Sequence, residues 1–246
     1  MHGSRTEGET IIGKAAMFDP KALLDQFLGG TNPDGTRKEM SPDLKKGLAT
    51  GAAATGLAAI LLGTKPGRKL TKSAVKVGGA AVLAGLAYKA YSRWQASKNA
   101  PAEDIQQSMR DVTPKPEGTP FLPAVPAVQD ELSRAILRAM IAAAKADGHI
   151  DAAEQQKIFG KLDELHLDVE AKAWVMDELR KPLDIEAVIQ GATSPEAAAE
   201  IYTASVLAID PDDPAEQAYL AMLASRLKLD PGLKATIEDE ARKALA

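Results

Sequence analysis

Two sets of residues in this chain have the types and spacing to do chemistry. The first is acidic. Asp147, Asp151 and Glu154 lie in the run DGHIDAAE (147–154), and Asp210, Asp212, Asp213 and Glu216 lie in DPDDPAE (210–216). Carboxylates without nitrogen or sulfur donors suit hard cations, so the chemistry they offer is binding of Ca²⁺ or Mg²⁺. The spacing is not that of an EF-hand. Counted from Asp147, glycine stands at position 2 where the EF-hand needs it at 6, and position 12 is Ile158 where a bidentate Glu is needed. The same acids have a structural use. Asp151, Asp213 and Asp230 are good helix N-caps, and Glu154 and Glu216 suit a first helical turn through the macrodipole. The two uses can coexist. The second set is basic. Lys65, Arg68, Lys69 and Lys72 fall in one short turn, and Tyr88, Tyr91 and Trp94 cluster further on. Cations near a bilayer surface attract anionic headgroups at about 1 kcal/mol each, and Trp and Tyr sit at membrane interfaces. Apolar neighbours on both sides of the turn favour lipid over nucleic acid as the partner. A solvated basic turn is the plain alternative.

Little else points to catalysis. The chain has no cysteine and three histidines, which excludes thiolate metal sites and cysteine nucleophiles. His149 sits in a polar loop, and His166 suits the C-terminal end of a helix. No GxSxG, P-loop, HExxH or GxGxxG run occurs. No catalytic residue is assigned, and the expectation is a non-enzymatic protein. A divalent-metal hydrolase built on the acidic loops is the rival.

The acidic runs are related. Ala153-Glu154-Gln155 recurs as Ala215-Glu216-Gln217 at an offset of 62, which also pairs Ile158 with Leu220, Leu165 with Leu227, Leu167 with Leu229 and Asp168 with Asp230. Shared helix start, apolar period and helix stop point to duplication. The run AAAKADGHIDAAEQQKI (142–158) resembles the signature of TerB-like tellurite-resistance domains, and DPDDPAEQAYL (210–220) is similar to their later acidic helix start. That resemblance implies an all-helical bundle of two related halves, with acids at the junction proposed to bind metal. MFDPKALLDQFLGG (17–30) and the glycine-rich region after it resemble an uncharacterised family of bacterial inner-membrane proteins, domain of unknown function 533. Its members tend to begin near this chain's Met17. That resemblance makes Met17 the expected natural start and residues 1–16 an upstream extension.

The elements that must position these residues follow from composition and periodicity. The chain has 246 residues, 45% of them hydrophobic but only 4% aromatic. Such a chain favours closely packed helices over sandwiches, and no alternating strand pattern appears. The class expected is all-α. The net charge of −4 conceals a basic first half and an acidic second half, and residues 44–102 contain no acid at all. Four parts result. Residues 1–43 are an extension with a short helix at 19–28, capped by Asp19 with Pro20 at the first helical position. Residues 44–94 are a glycine-rich helical hairpin. Its first arm, Gly47–Gly63, is uncharged; its second spans Ala74–Trp94 only if Lys76 and Lys89 snorkel. Gly47 and Gly51, then Gly78, Gly79, Ala81 and Gly85, give the arms small faces suited to close contact in lipid. Residues 95–126 contain six prolines and read as an extended linker. Residues 127–246 read as a bundle of about seven helices, with starts at Asp151, Asp168, Ser194, Asp213 and Asp230.

The expectation is a protein anchored in the bacterial inner membrane by the hairpin, with its helical domain on the cytoplasmic side. That domain binds a divalent cation, an unidentified partner protein, or both, in envelope or metal stress. The glycine-rich helices offer a route to a homo-oligomer, and a soluble oligomeric interaction module is the alternative.

Overall fold

The computed structural model describes residues 18–29, 79–99, 116–146, 156, 160, 169–209 and 213–245. All extended elements in them are helices: α1 (Pro20–Gly29), α2 (Gly79–Asn99), α3 (Pro126–Ala144), α4 (Val169–Arg180), α5 (Ile185–Ile189), α6 (Pro195–Ala208), α7 (Pro214–Arg226) and α8 (Pro231–Leu245). The described residues contain no strand, and one isolated bridge joins Glu117 and Leu122. The all-α expectation holds.

Most helices begin where the sequence supplies a cap. The Asp19 Oδ1 accepts the Ala22 N–H at 2.8 Å, the Asp184 Oδ1 that of Ala187 at 3.1 Å, and the Ser194 Oγ that of Ala197 at 3.1 Å. Each satisfies one of the orphan donors of a first turn. The left-handed Lys228 (φ 54°) ends α7: the Leu229 N–H reaches back to the Ala224 carbonyl at 3.0 Å, and the Lys228 N–H to Ser225 at 3.1 Å.

α6 is the central helix, buried on nearly every side, with α2, α3, α7 and α8 around it. Its first turn is capped by Ser194, while Ala199, Ile201, Tyr202 and Ala204 are fully inside. α3 has a wide buried face: Ile136, Met140 and Ala143 are buried at helical spacing, and so are Ala135, Leu137, Ala139 and Ile141. That face meets α1, α5, α6, α7 and α4.

α2 departs from expectation. The second arm of the predicted hairpin is a bundle helix, packed against α1, α6 and α8. Its inward stripe is Ala80, Leu83, Ala84, Ala87 and Ala90, whereas Ala81 and Gly85 of the expected small-residue face are half-buried. Small residues allow close approach of any helix pair, in lipid or in a core, so composition does not decide between them. Among the described residues no helix is long and apolar enough to cross a membrane. The first arm, Gly47–Gly63, lies outside the described residues. α2 also continues to Asn99, into the stretch expected to be linker, whose first proline in the sequence is Pro101. The end of that stretch is folded too. Residues 116–122 form a turn with Gly118 at φ 75°, and Phe121 is buried edge-on to Tyr88 and Tyr91, with ring centroids 5.7 and 5.5 Å away.

α1 fills the groove between α2 and α3 with Leu23, Leu24 and Leu28. Phe18 just before it meets the Trp174 ring at 5.5 Å, and the Arg134 guanidinium lies over the Phe18 ring. Asp25 of α1 then does something no sequence spacing announces. Its Oδ1 accepts the Ala80 N–H at 2.8 Å, capping the start of α2, while its Oδ2 pairs with Lys21.

Candidate functional site

The acidic set is only partly visible. Asp147, Asp151, Glu154, Asp210 and Asp212 lie outside the described residues, as do Lys65, Arg68, Lys69 and Lys72 of the basic set. Asp213 caps α7: its Oδ1 accepts the N–H groups of Ala215 at 2.8 Å and Glu216 at 3.1 Å. Its cap role is therefore real, and one oxygen is committed to it. Glu216 in the same first turn is 2% exposed, an unusual place for a carboxylate. Among the described residues no three His, Cys, Asp or Glu side chains are grouped to hold a metal ion.

Just before the first acidic run, Lys145 closes another helix end. Its Nζ donates to the carbonyls of Glu178 and Lys181, both at 2.8 Å, satisfying acceptors at the end of α4. Burial, the largest influence, lowers its pKa, opposed by the Glu178 charge. Glu178, itself buried, pairs with Arg138 at 3.2 Å and Lys181 at 2.7 Å. Burial would raise its pKa, but these two hydrogen-bonded cations together hold it below the usual range.

Of the expected interfacial residues, the aromatics Tyr88, Tyr91 and Trp94 are within the described residues, and the structure places Trp94 in an inter-helix junction. Its indole Nε1–H donates to the Asp230 Oδ1 at 2.9 Å, its ring lies 5.3 Å from that of Tyr91, and the Lys98 ammonium sits 4.2 Å above it. Asp230 is the start of α8; the same Oδ1 accepts the Gly232 N–H at 2.8 Å, and Oδ2 pairs with Lys98 at 3.0 Å. Hydrogen bonds from Lys98 first, then Trp94 and Gly232, hold the Asp230 carboxyl at about 2. A Cβ on Gly232 would stand 3.1 Å from Asp230 Oδ1 and 3.3 Å from Trp94 Cδ1, so any side chain there crowds the indole and its acceptor.

The junction continues along α2 and α8 as ion pairs. Glu240, 2% exposed, takes Lys89 at 2.7 Å and Arg93, and Arg93 also reaches Asp239 at 3.5 Å. These pairs join the basic half of the chain to the acidic half, with α2 supplying the cations and α8 the carboxylates. Sequence reasoning noted the charge asymmetry but assigned it to different surroundings; the contact between the halves was the missed signal.

A cysteine-free protein whose described elements are all helices is the class these features define. The family model for the protein of unknown function DUF533 matches residues 47–241, and the chain belongs to that family. A relative described as an uncharacterised protein in the ampR 5′ region of Yersinia enterocolitica is 29% identical over 114 residues, covering 46% of this chain and 82% of the relative. No solved structure matches. α1 lies before the matched range yet is part of the core.

Proposed function

We propose that this chain is a membrane-associated, non-enzymatic binding protein. Its helical body stands at a membrane surface and presents a binding face to a ligand or partner. One observation carries the reading: the Asp25–Ala80 hydrogen bond brings α1 and the start of α2 together. The chain on either side of residues 30–78 therefore lies in one neighbourhood. The sequence between them holds the uncharged Gly47–Gly63 run and the basic residues Lys65, Arg68, Lys69 and Lys72. An apolar run followed by cations suits a segment seated in acyl chains with its lysines at anionic headgroups. The TerB-like resemblance, the bacterial inner membrane and a cytoplasmic body belong to the same proposal. The test is sedimentation of the full chain with membranes after carbonate extraction. It should pellet, and a chain lacking residues 47–63 should not. A full chain that stays in the supernatant would overturn the membrane reading in favour of a soluble oligomeric module, and pelleting of both chains would overturn residues 47–63 as its anchor.

Divalent-cation binding is the second reading, favoured by the buried Glu216 beside Asp213 at the start of α7. Calorimetric titration of the full chain with Ca²⁺ and Mg²⁺ checks it. Saturable binding lost in both Glu216→Gln and Asp147→Asn supports one shared site. No heat of binding, with both variants merely less stable, leaves the acids as helix caps.

A further inference from the structure

A groove of about 590 Å³ opens beside the Trp94 junction, among α2, the turn before α6, and the α7–α8 connection. Its floor is apolar, formed by Ile189, Ala198, Leu227 and Leu233, with the Tyr91 and Trp94 rings on one side. Three cations, Lys98, Arg226 and Lys228, border it against one carboxylate, Asp230. We infer that this groove is a binding site for a small amphiphilic carboxylate, the apolar body lying on the Tyr91–Trp94 side and the anion meeting Lys228 and Arg226.

Lys228 is the central observation. It is the one non-glycine residue with positive φ among the described residues. At this position of a helix end glycine is the favoured residue, and any other costs on the order of 1 kcal/mol. Lys228 lines the groove, is exposed and has no ion-pair partner among the described residues, so its ammonium is available to an occupant. A residue held in a disfavoured backbone region points toward function. Arg226 pairs with Glu186, but both side chains are about half exposed, and such a pair exchanges readily for a buried anion. Lys98 is committed to Asp230 and Trp94 and completes the wall.

The backbone decides the kind of occupant. The N–H groups of Leu227, Lys228, Leu229, Ala192 and Thr193 along the groove are all bonded within their own turns. The Trp94 N–H is spent on Asp230. An extended peptide would find no edge to pair with, whereas an alkyl or aryl body with one charged end needs none. The volume falls within the range of small-ligand sites.

This inference deepens the binding reading and does not depend on the membrane. The probe is 4-phenylbutyrate, with 4-phenylbutanol and 4-phenylbutylamine as matched neutral and cationic analogues. The readout is Trp94 emission of the full chain in a Trp174→Phe background. Phenylbutyrate should change the emission saturably, the alcohol about tenfold more weakly, and the amine not at all. Lys228→Glu should weaken phenylbutyrate about tenfold or more. Lys228→Gly, which relieves the backbone, should raise thermal stability while still weakening the carboxylate. Equal binding of the three probes, or unchanged affinity in both variants, would overturn the site. So would a response to phosphatidylglycerol vesicles alone, which would move the anion source to lipid headgroups. Failure here leaves the sedimentation result untouched, so the two readings fall separately.

Discussion

Glu200 lies in the middle of α6 with 1% of its surface exposed, and its Oε2 has no hydrogen-bond partner among the described residues. Burial pushes its carboxyl well above the usual range, so the fold favours the protonated form. Folding stability is then fullest below the unfolded carboxylate pKa of about 4.3 and falls as pH rises from there toward the folded value. Replacing the unmatched oxygen by an apolar group of similar length removes that loss. Glu200→Met should therefore stabilise the protein at pH 7 by about 1–3 kcal/mol, and less at pH 4, in urea denaturation. A variant less stable than the parent at both pH values would show that the carboxylate has a partner in solution. Asp230 has the opposite sign. Its carboxyl is held at about 2, so its contribution is present above the unfolded pKa of about 3.9 and is lost as pH falls toward 2. Asp230→Asn should flatten the acid limb of the stability profile and shift Trp94 emission, since the indole N–H loses its charged acceptor. An unchanged acid limb would remove Asp230 from that account.

At the scale of elements, the turn between α5 and α6 is as tight as the helices beside it. A Cβ on Gly191 would stand 2.5 Å from the Ala135 Cβ and 3.3 Å from the Val188 carbonyl. Neither backbone can yield cheaply, so Gly191→Ala should cost about 1–3 kcal/mol, read as a lower midpoint of thermal unfolding. Gly118 offers a contrast: nothing lies within 4 Å, and only its φ of 75° opposes a side chain. Gly118→Ala should cost about 1–2 kcal/mol, from the backbone alone. Helix starts were legible from sequence because they are local. Asp19, Ser194, Asp213 and Asp230 each announce a helix through the cap and the proline that follows it. What sequence could not supply is which neighbour each cap also serves. The indole on Asp230 and the Asp25 carboxylate at the start of α2 bridge 136 and 55 positions, and no periodicity encodes them.

For the whole molecule, the all-α class was readable from composition, but the division into parts was not. A stripe of alanines carries the same pattern whether lipid or another helix covers it, and α2 was read as the former. Residues 127–246 were expected to form a bundle of their own, yet Leu23, Leu24, Leu83, Ala84, Ala87 and Phe121 belong to the same buried cluster as Leu137, Ile201 and Leu223. A fragment beginning at residue 126 should keep helical far-UV circular dichroism and lose near-UV signal and cooperative unfolding, because α1 and α2 no longer cover α3 and α6. A sharp urea transition equal to that of the full chain would show a core independent of both helices. Adding a peptide of residues 79–99 should restore part of the cooperativity.

The Asp25–Ala80 bond has a mechanical meaning. Tension on the chain between α1 and α2 pulls both its ends from one anchorage, so the load falls first on a single hydrogen bond and the short α1, not on the long seam of α2 with α8. That seam would take the pull along its length, in shear, with Trp94, Arg93 and Lys89 sharing it. Under strain the body should shed α1 before it loosens α2, exposing the apolar groove between α2 and α3 that Leu23, Leu24 and Leu28 fill, while the remaining helices hold.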